Sequence, residues 1–248
     1  MSKKVFITGA TSGIGRKMAE KCIAKGYTVY ATGRNESSLK TLSDLGATVF
    51  KADLRSKVDL AYVINQLPVL DVAILNAGLG IFGNFYELAE DDIDNMFETN
   101  VRAPIMLARA ISEKMMDARK GHLIIVSSQA GKVATKKASI YASSKHALTG
   151  FINGARLELA DYNIEVTGIY PGPIDTPFLQ KADATNAYRL AVKTFLMEPD
   201  KVVDATLRTI ERPVREVNLP RVMGITAKLY AMAPAIVEFV GKGFFNKK

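Results

Sequence analysis

Short runs of apolar, mostly β-branched residues alternate along the chain with longer stretches in which apolar positions recur every three or four residues. The short runs lie at Lys4–Thr8, Thr28–Thr32, Thr48–Lys51, Val72–Asn76, His122–Ser127, Glu165–Tyr170 and Glu216–Leu219, and each is predicted as a strand. Val72-Ala73-Ile74-Leu75 and Leu123-Ile124-Ile125-Val126 are apolar at successive positions, which suits strands covered on both faces. Asp91-Asp92 ahead of the Ile93, Met96, Phe97 stripe, and Pro199-Asp200 ahead of Val202-Val203, mark helix starts. The alternation predicts β-α-β units. With no Gly/Ser linker and no internal repeat, the expectation is one α/β domain over residues 1–248, a doubly wound parallel sheet of about seven strands with helices on both faces.

Composition narrows the classes. At 248 residues, with 48% hydrophobic and 23% charged residues, the chain can bury a large core, and disorder, collagen-like repetition and coiled coil are excluded. The single cysteine, Cys22, can form neither an intrachain disulfide nor a structural zinc site, which points to a reducing, cytoplasmic setting. The net charge of +8 admits nucleic acid, an anionic membrane or an anionic cofactor as partner. The cations are dispersed without a block or an aromatic-basic repeat, so nucleic acid is set aside. Val5-Phe6-Ile7 is too short for an export signal, and the apolar stretch Leu229–Val237 is too short to span a bilayer. His122 and His146 have no ligand-spaced partner, so no metal site is expected.

The most informative segment follows the first strand: Thr8-Gly9-Ala10-Thr11-Ser12-Gly13-Ile14-Gly15, then the helical pattern Met18, Ala19, Cys22, Ile23. Glycines there allow a tight strand-to-helix turn and close backbone approach, while the helix N-terminus offers N–H groups and partial positive charge to a pyrophosphate. The second strand ends in Gly33-Arg34, where an NAD site would carry an acidic residue. A guanidinium can pair with a 2′-phosphate that a carboxylate would repel, so NADP is the expected cofactor. The competing reading makes Arg34 a solvated cation and gives the ribose to Glu36.

With these motifs the chain resembles the short-chain dehydrogenase/reductase family from Lys3 to about Arg212, and the motifs stand in family order. They are Thr8–Gly15, Asp53-Leu54, Asn76-Ala77-Gly78, Asn100, Ser127-Ser128, Tyr141-xxx-Lys145, and Pro171-Gly172-Pro173-Ile174-Asp175-Thr176. The resemblance implies a single Rossmann domain that transfers hydride between NADP(H) and a carbonyl or alcohol substrate. It implies Tyr141 as proton donor, Lys145 as the cation that lowers the phenol's pKa and holds the nicotinamide ribose, Ser128 as orienter of the substrate oxygen, and Asn100 as holder of a relay water. It further implies cofactor contacts from Gly9, Thr11, Ser12, Gly13, Ile14 and Gly15, from Asp53 and Leu54 at the adenine, and from Asn76, Ala77 and Gly78. Pro171 and Gly172 would also touch the cofactor, Ile174 and Thr176 would hold its carboxamide, and a homodimer or homotetramer would form through the helices around Asn100 and Tyr141.

Residue chemistry is compatible and leaves alternatives. Tyr141 and Lys145 are four apart in a helical stretch, so they share a face. Ser127 competes with Ser128, because successive strand residues face opposite ways. Asn100 can instead pair with backbone, Asp53 can be a loop carboxylate, and Asn76 can be structural. Dehydration or epimerisation on the same scaffold, and a non-catalytic nucleotide sensor, are the other functions considered.

Two segments are less regular. Residues 178–197 mix Phe178, Leu179, Tyr188, Leu190, Phe195 and Leu196 with charges and are predicted as a substrate lid, which with Leu79, Ile81 and Phe82 suggests a partly apolar pocket. Residues 224–248 carry Leu229, Met232, Ile236, Phe239 and Val240 near helical spacing, with lysines at 228, 242, 247 and 248. The favoured reading buries that stripe over the pocket or in a subunit seam; contact with an anionic membrane and a frayed end are the others.

Overall fold

The computed structural model describes residues 2–183 and 187–241. Seven parallel strands form one sheet in the order β3-β2-β1-β4-β5-β6-β7. They are β1 (Lys4–Thr8), β2 (Thr28–Gly33), β3 (Thr48–Lys51), β4 (Val72–Leu75), β5 (Gly121–Val126), β6 (Ile164–Pro171) and β7 (Glu216–Leu219). The ends differ from the sequence expectation by a residue or two, as when β4 stops at Leu75 because Asn76 has already turned to bond Thr8.

Side chains of one strand point alternately to two cores. Phe6, Ala73, Leu75, Leu123 and Ile125 join the core under α3 (Lys57–Gln66), α5 (Ala103–Asp117) and α6 (Ser139–Leu159). Val5, Ile7, Val72, Ile74, Ile124 and Val126 join the opposite core under α1 (Gly13–Ala24), α2 (Glu36–Asp44) and α9 (Pro199–Glu211). Both faces are therefore dry, which accounts for the unbroken apolar runs. Truncating such a buried leucine or isoleucine to alanine costs about 2–5 kcal/mol.

Between β4 and β5 the chain forms α4 (Glu90–Phe97), a π-turn (Glu98–Arg102) and α5 as one continuous helical run. The Ala103 N–H reaches back five residues to the Glu98 carbonyl, and the extra residue turns Asn100 fully inward. Beyond β6 come α7 (Pro177–Ala182), α8 (Ala187–Ala191) and α9, and beyond β7 come α10 (Arg221–Met232) and α11 (Pro234–Val240). Strand order reverses between β1 and β4, so the carboxyl ends of these two strands open a crevice where ligands of such sheets bind.

Cys22 is buried in α1, where desolvation pushes its thiol up to about 12 and leaves it an apolar filler. Among the described residues no helix is long and apolar enough to cross a membrane, and no group of three or more potential ligands is placed to hold a metal.

Candidate active site

The crevice begins at the glycine turn, and its three glycines serve different needs. Gly9 and Gly13 have φ of +66° and +53°, a region that residues with a Cβ disfavour. Gly15 lies so close to Gly9 that a Cβ would strike the Gly9 carbonyl oxygen and the Asn76 amide. Ser12 gives α1 no side-chain cap and the first turn holds no acid, whereas Asn35 and Ser56 cap α2 and α3 by accepting from backbone N–H groups. The first turn of α1 thus keeps its donors and its positive dipole end for an anion. Thr8 Oγ1 accepts from the Asn76 and Ala77 N–H groups at 2.9 Å each, and Asn76 Nδ2 donates to the Thr8 carbonyl at 3.0 Å. Asn76 therefore welds β4 to β1 beneath the turn.

At the end of β2, Arg34 extends with 65% of its side chain exposed, 3.9 Å from an Asp53 oxygen. Asp53 is held chiefly by Arg55, whose Nε donates at 3.0 Å, and its carboxyl stays below the usual range. The carboxylate expected to meet adenine is thus already paired, although Asp53 and Leu54 both border the crevice. Glu36 is salt-bridged to Lys51 at 2.6 Å on the surface.

Further along, the crevice widens into a cavity of about 650 Å³ that runs without interruption from the glycine turn and Arg34 to Ser128, Tyr141 and Lys145. Ser127 and Ser128 separate as strand geometry demands. Ser127 Oγ turns to the Lys145 carbonyl and Thr149, while Ser128 Oγ accepts from the Ala130 N–H and faces the Tyr141 phenol. Tyr141 is 8% exposed; burial pushes its hydroxyl up to about 12, against which the Ser128 hydroxyl works as a hydrogen-bonding neighbour. Lys145 is equally buried, donates to the Val126 carbonyl at 3.2 Å, and is pulled down to about 8 by desolvation. Its Nζ lies 5.9 Å from the centre of the tyrosine ring. Burial dominates both groups in this arrangement, and the ammonium donates to a backbone carbonyl.

Asn100 uses both amide hydrogens and one Oδ1 acceptor position within the protein. Its Oδ1 accepts from the Leu79 N–H at 2.8 Å, and its Nδ2 donates to the Leu79 carbonyl at 2.7 Å and to Ser144 Oγ at 3.0 Å. It clamps the loop after β4, so Gly78 sits between Asn100 and Lys145: a Cβ there would lie 3.4 Å from Oδ1 and 3.5 Å from Nζ. Pro171, Gly172, Ile174 and Thr176 form the opposite wall, and Ile174 is pinned by a bridge to Met197.

Apolar walls close the substrate end. Phe82 and Phe178 contact the Tyr141 ring at centroid distances of 5.6 and 5.9 Å, and Tyr188 packs edge-on against Phe82 at 4.7 Å. Of the lid expected at 178–197, Phe178, Leu179, Tyr188 and Phe195 line the cavity, Leu190 points outward, and residues 184–186 lie outside the described residues. One feature had no sequence signal. Behind Ser128, Gln129 donates to the Tyr170 carbonyl and to Asn218, and Lys132 binds both Glu216 and Asn218. These partners lie 41 to 89 residues apart. Helices α10 and α11 also contribute, as one of the expected placements of the tail had it: Val222, Met223, Thr226, Tyr230, Val237 and Gly241 line the cavity.

The tail departs from the expected single stripe, although α10 and α11 do cover the pocket. The stripe Leu229, Met232, Ile236, Phe239 and Val240, read as one buried face, is broken between α10 and α11, and each member is at least half exposed. Pro234 cannot continue the α10 ladder, so the spacing no longer describes one helix. Lys242, Phe244, Phe245, Lys247 and Lys248 lie outside the described residues.

Known proteins agree with this architecture. The family model described as short chain dehydrogenase matches residues 3–187. An uncharacterized oxidoreductase of Bacillus subtilis, YxnA, is 32% identical over 94% of this chain and 70% of its own length. A short-chain dehydrogenase from Sphingobium yanoikuyae, solved in complex with NADPH, superposes with a TM-score of 0.81 over 96% of this chain and 95% of that one, at 26% identity. A 4-hydroxyisoleucine dehydrogenase complexed with NADH shares the fold at a TM-score of 0.80 and 24% identity, over 88% of this chain and 96% of that one. With three quarters of its length matched by that model and its sheet wound in the order described above, the chain belongs to the short-chain dehydrogenase family of oxidoreductases.

Proposed function

We propose that the protein is an NADP-preferring oxidoreductase that interconverts a partly apolar carbonyl compound and its alcohol. The observation that carries this reading is the facing pair of Ser128 and Tyr141 hydroxyls in the wall of a cavity continuous with the glycine turn. The residues present fit a dinucleotide: a left-handed Gly9, a Gly15 with no room for a Cβ, and an uncapped α1 terminus form a cradle for a pyrophosphate. Arg34 is the cation for a 2′-phosphate, and no carboxylate at the end of β2 opposes it. When bound, a nicotinamide cofactor supplies or accepts the hydride.

The chain's own groups handle the proton. Ser128 donates to the substrate carbonyl and fixes its oxygen next to Tyr141. The tyrosine, with its pKa near 12, is fully protonated at neutral pH and is ready to donate as negative charge develops on that oxygen. In the oxidative direction the phenol must first be made more acidic, and the Lys145 ammonium, charged below about pH 8, is the nearby group able to do that. Phe82, Phe178 and Tyr188 exclude water from the reacting oxygen and favour an apolar substituent on the substrate.

The test is a screen of NADPH oxidation across ketones and aldehydes, followed by absorbance, with the wild type and Ser128→Ala. Turnover on apolar carbonyls that Ser128→Ala lowers at least tenfold supports the reading. Turnover insensitive to Ser128 would move the chemistry elsewhere.

A further inference from the structure

Helix α10 is amphipathic in an inverted sense. Its buried residues are the small Gly224 and Ala227, and it packs so tightly on β7 that a Cβ at Gly224 would lie 2.8 Å from Asn218 Cβ. Its large apolar residues face outward: Val222, Ile225, Leu229 and Met232 are 59, 61, 52 and 83% exposed. Their spacing of three, four and three residues puts them on one stripe. Helix α11 extends the patch with Ile236, Phe239 and Val240, at 66, 82 and 80%. Contiguous apolar surface of this kind marks an interaction site rather than ordinary scatter.

Charge limits what can cover it. Arg221 and Lys228 are exposed on α10, and Lys242, Lys247 and Lys248 follow α11 in the sequence, against one acid, Glu238. That carboxylate accepts a hydrogen bond from the Tyr230 hydroxyl at 2.8 Å. The patch also opens onto the cavity, since Val222 belongs to both and Met223, Tyr230 and Val237 line the inner side of the same helices.

We propose that the outward face of α10 and α11 docks on an anionic lipid surface and that the cavity draws its apolar carbonyl or alcohol substrate from that layer. A bilayer receives the apolar side chains at its interface, supplies counter-charge to the cations, and leaves an apolar route from the acyl region to the cavity mouth. A second copy of the chain would bring little counter-charge to Arg221 and Lys228, because the described part of α10 and α11 carries a single acid, Glu238. The docking stands on the surface alone; the choice of substrate rests on the reaction proposed above.

Sedimentation of the full-length protein with vesicles separates the outcomes. Binding should be at least tenfold stronger to phosphatidylcholine vesicles containing phosphatidylglycerol than to phosphatidylcholine alone, and should fall with added salt. Phe239→Glu and Met232→Glu, at exposed positions outside the cavity wall, should each abolish that preference while turnover of a water-soluble ketone stays unchanged. A long-chain ketone carried in the anionic vesicles should then be reduced several-fold faster by the wild type than by Phe239→Glu. Failure of the wild type to bind anionic vesicles would overturn the docking, as would conversion of an oligomer to a monomer by Phe239→Glu. Vesicle binding without NADPH oxidation on any carbonyl, in or out of the bilayer, would leave the docking standing and overturn both the substrate assignment and the proposed reaction.

Discussion

Tyr141 and Lys145 sit one helical turn apart on α6, and burial moves their proton equilibria apart, to about 12 and about 8. The lysine loses its charge as pH rises through about 8, while the phenol stays protonated well beyond. Alcohol oxidation should therefore depend on pH through Lys145: its profile should carry an inflection near pH 8, and in Lys145→Met that inflection should vanish together with most activity. A pH profile flat to pH 10 would separate the lysine from the proton transfer. At the other end of the cavity, Arg34→Ala should reduce the preference for NADPH over NADH by at least tenfold, about 1.4 kcal/mol. Fluorescence titration of both cofactors measures it; an unchanged ratio would take Arg34 out of the phosphate role. The glycine turn and the shared face of Tyr141 and Lys145 were legible because local backbone and helical spacing encode them, whereas the choice of Ser128 over Ser127 came from the family resemblance alone. The pairing of Asp53 with Arg55 was not legible, since a carboxylate's partner depends on which rotamer the fold permits.

The strands and the two-faced sheet could be read at the scale of elements from unbroken apolar runs, because burial on both sides leaves no polar alternation. The π-turn at Glu98–Arg102 left no such mark, as one extra residue per turn does not disturb the apolar pattern of a helix already bent around Asn100. Its consequence is testable. Asn100→Ala would strand the Leu79 N–H and carbonyl, each worth about 1–3 kcal/mol when buried without a partner. Chemical denaturation should show a loss in that range, and a loss below about 0.5 kcal/mol would show that the loop has other anchors. Helices α10 and α11 cover the pocket, as one of the expected placements had it, but with the large apolar stripe outward in the single chain. Spacing reveals that a face is apolar, but only packing decides whether that face turns inward, and here the small face of Gly224 and Ala227 won.

Taken over the whole molecule, stability and assembly follow from what is buried and what is not. His122 is buried on β5, and its Nε2–H donates to Thr167 Oγ1, whose own proton goes to the Val214 carbonyl at 2.6 Å. Desolvation lowers this imidazole from 6.5 to about 4. Between those pH values the unfolded chain binds a proton that the folded chain does not, so stability rises with pH across the window and the penalty is complete below about 4. Relative to His122→Gln, the wild type should lose up to about 3 kcal/mol as pH falls from 6.5 to 4; parallel curves would show another source of acid sensitivity. Phe97, at the end of α4, and Leu157, on α6, are exposed by 37 and 74% on helices that the family resemblance pairs between subunits. Sedimentation at micromolar concentration should accordingly show a species larger than the 27.0 kDa chain, and a lone monomer would count against pairing. The most direct measurement of the central claim is single-turnover NADPH oxidation by wild type and Tyr141→Phe, both saturated with cofactor and offered the same apolar ketone. The expected result is unimpaired cofactor binding with a rate lowered at least about 100-fold, as loss of a positioned proton donor requires. A Tyr141→Phe protein that turns over within a few-fold of the wild type would contradict the account.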